Sequence, residues 1–147
     1  MAYQIGIFIS HSWSYSDHYD TLNEWIFQTS WNLNGAPIQF NNFSIPKDDP
    51  IHNAPNAQAL QSAIYAEIQK SHIVVIPTGM YATHSKWIQK EIDGAGAHGR
   101  PILAVNPWGQ ERKSADVIEV ANANVGWTKE SVVQGVWDLY QKYYARP

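Results

Sequence analysis

The chain has 147 residues, close to the commonest size of one domain, and 44% of them are hydrophobic, enough to build a core. Ten basic against 13 acidic residues leave a net charge of -3 with no basic cluster, which argues against nucleic acid or an anionic membrane as a partner. With no cysteine there are no disulfides, thiol nucleophiles or thiolate metal sites, and no apolar run approaches the ~20 residues of a membrane span.

A single domain over 1–147, soluble and cytoplasmic, is the expectation from these numbers. The opening MAYQIGIFIS lacks the basic start and long apolar run of a secretory leader. Seven tryptophans and eight tyrosines exceed what packing alone requires.

Ile5-Gly6-Ile7-Phe8-Ile9 is apolar without alternation, the pattern of a strand buried on both faces, and it stops at Ser10-His11-Ser12. Ser16 offers an N-cap to a helix marked by Tyr19, Leu22 and Ile26. Asn34-Gly35 breaks the pattern, and Ile38-Gln39-Phe40 reads as a weak second strand. From Asn41 to Asn56 the chain is rich in Pro, Asn and Asp without any period, as expected of a long exposed loop of the kind that carries function. Leu60, Ile64 and Ile68 predict a helix ending near Ser71. Ile73-Val74-Val75-Ile76 is the clearest buried strand, and Pro77 and Gly79 stop it.

The run Ser85-Lys86-Trp87-Ile88-Gln89-Lys90-Glu91 opens the next helix, with Gly94 and Gly96 read as its stop. Ile102 to Val105 is a further buried strand, stopped by Asn106-Pro107, and Val117 to Val120 is taken as a short fifth strand. Thr128 caps a last helix with Val132, Val136, Leu139, Tyr140 and Tyr143 on its apolar side.

Strands alternating with helices, the central ones apolar throughout, predict an α/β domain with a mostly parallel sheet. Ligands of such sheets lie beyond the carboxyl ends of the strands, at the switch point. Ser10 to Trp13, Thr78 to Tyr81 and Asn106 to Trp108 stand at those ends.

Several motifs reduce to structure. Gly94-Ala-Gly96-Ala-His-Gly99 spells the G-x-G-x-x-G of dinucleotide sites, but it follows a helix and precedes a strand, the reverse of what phosphate binding needs. The six histidines have no metal-ligand spacing, so no metal is expected. Ser10, His11 and Asp17 contain the residue types of a hydrolase triad, but neighbours on a strand point to opposite faces. Glu91 reads in two ways. A helix carboxylate is commonly solvated, yet this one lies four residues from Trp87, on the same helix face, in a helix that begins just after a strand's carboxyl end. Trp87 beside it offers a stacking face for a purine or pyridinium ring.

FISHSW at the first strand end, SIPKDDPIH in the loop, HIVVIPTGMY, SKWIQKEI and RPILAVNPWG, in this order, resemble the TIR-like domains of the Thoeris ThsB group. The resemblance runs from about Ile5 to Tyr140. It implies a flavodoxin-like TIR fold, a central five-stranded sheet flanked by helices. It also implies cleavage of the nicotinamide–ribose bond of NAD, with NAD as substrate and no tightly bound cofactor. The ADP-ribose product is released, cyclised or passed to an acceptor, and in Thoeris defence it signals to a separate effector protein upon phage infection.

Trp87 and Glu91 match the W-x-x-x-E element of that family, in which the glutamate is catalytic. By the same resemblance Trp87 shapes the pocket and Ser10, His11 and Trp13 line its floor. Asp48 or its neighbour Asp49 approaches substrate from the loop, and Tyr81 and Ser85 stand near by topology. A phage-derived trigger and self-association come with the resemblance. The loop after the second strand is longer and differently composed than in typical TIR domains. Two other readings remain open. Many TIR domains are scaffolds that act by homotypic contact and catalyse nothing. A nucleoside deoxyribosyltransferase uses a related fold and a glutamate on a glycosidic bond.

Overall fold

The computed structural model describes residues 3–9, 16–27, 31–33, 35–44, 57–77, 92–106 and 120–144. In chain order these form β1 (Tyr3–Ile9), α1 (Ser16–Phe27), β2 (Trp31–Leu33), β3 (Ala36–Asn42), α2 (Ala57–Lys70), β4 (Ile73–Pro77), a helix α3 whose residues 92–97 are described, β5 (Ile102–Asn106), β6 (Ala123–Gly126) and α4 (Lys129–Tyr143). The six strands make one sheet in the order β2-β3-β1-β4-β5-β6. Five of them, β3-β1-β4-β5-β6, are mutually parallel, and β2 alone runs antiparallel to its neighbour. Set β2 aside, and the order is the 2-1-3-4-5 of the flavodoxin-like fold.

The continuous apolar runs are the central strands, because a parallel sheet covered by helices on both sides has no solvent face. Ile5, Ile7, Ile9, Ile73, Val75, Leu103 and Val105 point to one side, where Leu22 and Ile26 of α1 and Val132, Val136 and Leu139 of α4 close over them. Phe8, Val74, Ile76, Ile102 and Ala104 point to the other, under Ile64 and Ile68 of α2 and Ala95 of α3. Ile5, Ile7, Ile9, Ile64, Ile68, Ile73 and Ile76 are fully buried, each contributing about 1.5–3 kcal/mol by removal from water.

Four local expectations are corrected. The sheet gains β2: Leu33 pairs with Ala36 across a two-residue connection, with Gly35 at φ +83°. Asn34-Gly35 is therefore a hairpin signal as well as a break. The far edge strand is at Ala123–Gly126, while Val120 is helical and 117–119 lie outside the described residues.

Helix α3 runs through Gly94 and Gly96 and stops at Gly99, whose φ of +66° is the left-handed cap. There Arg100 N donates to Ala95 O at 2.8 Å and Gly99 N to Gly96 O at 3.3 Å, the bond pair of a Schellman motif. Tyr143, expected in the core, is 40% exposed, whereas Tyr140 packs against it. Thr128 does cap α4: its Oγ1 accepts from Ser131 N at 3.1 Å, with extended backbone at the cap. Among the described residues no helix is long and apolar enough to cross a membrane.

Candidate active site

β1 sits between β3 and β4, and the chain leaves it in one direction and returns in the other. The crossover from β1 to β3 passes through α1 on one face; that from β4 to β5 passes through α3 on the opposite face. Two crossovers diverging from adjacent strands open a crevice beyond the carboxyl ends of those strands. In this chain they are β1, ending at Ile9, and β4, ending at Pro77, with Ile9 in register with Val75.

All the candidate residues read from the sequence lie outside the described residues: Ser10, His11, Trp13, Asp48, Tyr81, Ser85, Trp87 and Glu91. Their points of attachment are described. Residues 10–15 follow Ile9, 45–56 follow Ser44 just past β3, and 78–91 connect Pro77 to Ile92 of α3. Thus the three stretches carrying the candidates all depart from the carboxyl edge of three adjacent strands, β3, β1 and β4.

At that edge the described polar groups form a short chain of hydrogen bonds. Ile9 N donates to Ser44 Oγ at 2.8 Å, Ser44 N donates to Asn42 Oδ1 at 2.9 Å, and Asn42 Nδ2 donates to Asn23 Oδ1 of α1 at 3.2 Å. Ser44 is 8% exposed, a buried hydroxyl that sequence reasoning passed over inside the loop. The signal available was local: Asn42 two residues before Ser44 is the spacing of an Asx turn. Helix α4 opens at this edge too, just past β6, and a helix N-terminus carries roughly half a positive charge. Such a field favours a phosphate-bearing ligand.

The opposite, amino edge of the sheet is a different environment. His72 Nδ1 accepts from Gly6 N at 2.9 Å, and its ring meets those of Tyr140 and Tyr144 edge-on at 5.3 and 4.9 Å. Burial, aided by the Arg100 guanidinium, holds the imidazole below its ordinary pKa of 6.5, and burial raises that of the Tyr144 phenol. A groove of about 380 Å³ lies there between Ile92, Arg100, Val120 and Tyr143, and a more open one of about 560 Å³ runs between β6 and Gln134 and Asp138 of α4. Neither is lined by a residue of β1 or β4. Among the described residues no group of three or more His, Asp or Glu is placed to hold a metal.

Comparisons with known proteins bear on the family and the fold. The family model described as "Thoeris protein ThsB, TIR-like domain" matches residues 8–112. That span begins in β1, ends past β5 and includes every candidate residue. Among solved structures, the CMP N-glycosidase BcmB of Clostridium botulinum is similar, with a TM-score of 0.50 over 92% of this chain and 98% of its own, at 14% identity. At that identity the likeness is one of fold. No curated protein matches.

Proposed function

The chain belongs to the Thoeris ThsB TIR-like family, and on that premise we propose that it cleaves the nicotinamide–ribose bond of NAD and makes an ADP-ribose-derived signal for a separate effector in anti-phage defence. The observation that supports this reading is that 10–15, 45–56 and 78–91 follow directly from the carboxyl ends of β1, β3 and β4, where a doubly wound sheet receives its ligands. The last of these stretches holds the W-x-x-x-E pair, Trp87 and Glu91.

The chemistry asks little of the protein beyond placement. As the C1′–N bond of the nicotinamide ribose breaks, its electron pair goes to the pyridinium nitrogen, which leaves neutral and needs no proton. Positive charge develops on the ribose. A carboxylate held against the sugar stabilises that charge and binds the hydroxyls, which is the role proposed for Glu91. Water, or an acceptor group on the product or another molecule, then attacks C1′ and loses a proton. Trp87 shapes the pocket, Ser10, His11 and Trp13 form its floor, and Asp48, Tyr81 and Ser85 border it. NAD is the substrate, and no resident cofactor enters the scheme. A phage-derived trigger and self-association belong to the same proposal.

The fold likeness favours one second reading. The similar structure is that of an N-glycosidase, and nicotinamide release also breaks an N-glycosidic bond, so a nucleotide or deoxynucleoside is the alternative substrate. The test is to incubate the protein, in extract of phage-challenged cells, with NAD, CMP and thymidine in turn. Free nicotinamide with CMP and thymidine intact supports NAD cleavage. Free cytosine, or base exchange on thymidine without NAD loss, assigns the second reading.

A further inference from the structure

The parallel pairing of β1 with β3 ends at the carboxyl edge on a side chain. Ile7 O still accepts from Phe43 N at 2.9 Å, but the next donor, Ile9 N, goes to Ser44 Oγ at 2.8 Å. That hydroxyl is held in place because Ser44 N is tied to Asn42 Oδ1 at 2.9 Å and the residue is 8% exposed. Ile9 is the last described residue before 10–15, and Ser44 the last before 45–56. One hydrogen bond therefore joins the departure points of two stretches that carry candidate site residues.

We propose that Ser44 is a positioning residue of the active site: its hydroxyl fixes where the chain leaves β1 relative to where it leaves β3, the two points from which the stretches bearing the proposed floor and loop residues depart. This rests on the NAD-cleaving reading above. A hydroxyl suits the task, since an alanine leaves a buried N–H without a partner and a threonine retains the acceptor. Ser71 is the matched control. It is 2% exposed, and its hydroxyl donates to Glu67 O at 2.9 Å just before β4, at the amino edge.

The experiment compares wild type, Ser44→Ala, Ser44→Thr and Ser71→Ala by NAD turnover and by amide hydrogen exchange. Loss of one buried hydrogen bond is worth about tenfold in an equilibrium, so Ser44→Ala is expected to raise KM for NAD about tenfold with kcat within about threefold. Ser44→Thr recovers the wild-type KM, and Ser71→Ala leaves it unchanged. Equal KM effects in the two alanine variants would mean general loosening and would overturn the proposal.

Hydrogen exchange reads the placement without catalysis. In Ser44→Ala the amides of Ile9 to Trp13 exchange about tenfold faster, those of β5 do not, and Ser71→Ala lacks the effect. Should the wild type leave NAD intact, the NAD reading fails by itself, and exchange still decides the role of Ser44. Unchanged exchange at Ile9 to Trp13 overturns it.

Discussion

His72 completes the pairing of β1 with β4 from just outside the ladder. Its main-chain N donates to Gly6 O at 2.8 Å, and its ring Nδ1 takes the Gly6 N–H that no carbonyl reaches. The acceptor role assigns the proton of the neutral ring to Nε2. Tyr144 Oη donates to the same residue's carbonyl at 2.6 Å, so the imidazole and its backbone tie β1, β4 and the end of α4 together. Protonation of Nδ1 removes the acceptor, and burial and Arg100 both oppose it. The folded state thus holds fewer protons than the unfolded one below pH 6.5. Stability is full above that value and falls as the pH drops from 6.5 through the lowered folded pKa. The urea midpoint should decline between pH 7.5 and 5.5, and His72→Gln, which keeps an acceptor without titrating, should flatten the decline. His72→Ala, by leaving Gly6 N unpaired, should cost about 1–3 kcal/mol at neutral pH. An equal pH slope in wild type and His72→Gln would contradict this. None of it was legible in the sequence, where His72 is one of six scattered histidines and its partner is 66 residues away.

The three glycines of GAGAHG show what a helix asks of one residue type in different places. A Cβ on Gly94 would lie 2.9 Å from both Ile68 Cδ1 and Tyr65 Cδ1, so this glycine is where α3 meets α2. Gly96 faces open space, and Gly99 carries the left-handed cap. Alanine substitutions therefore should differ in sign. Gly94→Ala overpacks a buried contact and is expected to destabilise by about 1–3 kcal/mol. Gly96→Ala should stabilise by about 0.5–1 kcal/mol, the ordinary gain of alanine over glycine in a helix. Gly99→Ala should cost about 1–2 kcal/mol from the left-handed backbone. Chemical denaturation of the three variants checks this; one common sign would refute it. Composition identified the helix stop but misplaced it, because propensity disfavours Gly94 in a helix and tertiary packing overrides propensity. Asn34-Gly35 went the other way, since a three-residue partner strand is too short for periodicity to register.

For the whole molecule, the sheet was readable to the extent that it is buried. β1, β4 and β5 are continuous apolar runs because helices cover both faces, and their order along the chain implied parallel crossovers. The last strand was expected too early, at Val117 to Val120, because in β6 itself half-burial alternates with exposure over only four residues at an edge. The site was legible in a different manner. The rule of carboxyl ends pointed to one edge, and the described chain leaves β1, β3 and β4 at that edge into 10–15, 45–56 and 78–91. What singles out Glu91 from the chain's other carboxylates is its match to the W-x-x-x-E element, since the charge and spacing of one glutamate say little alone. The central claim is thus that this fold brings Glu91 to the ribose of NAD. The most direct measurement is mass-resolved nucleotide profiling of cells expressing wild type or Glu91→Gln, with and without phage challenge. NAD is expected to fall and an ADP-ribose-derived species to rise with challenge in the wild type, and Glu91→Gln to lower the rate about 100-fold or more with folding intact. A folded wild type that protects cells while NAD stays level, or a Glu91→Gln variant as active as the wild type, would contradict it.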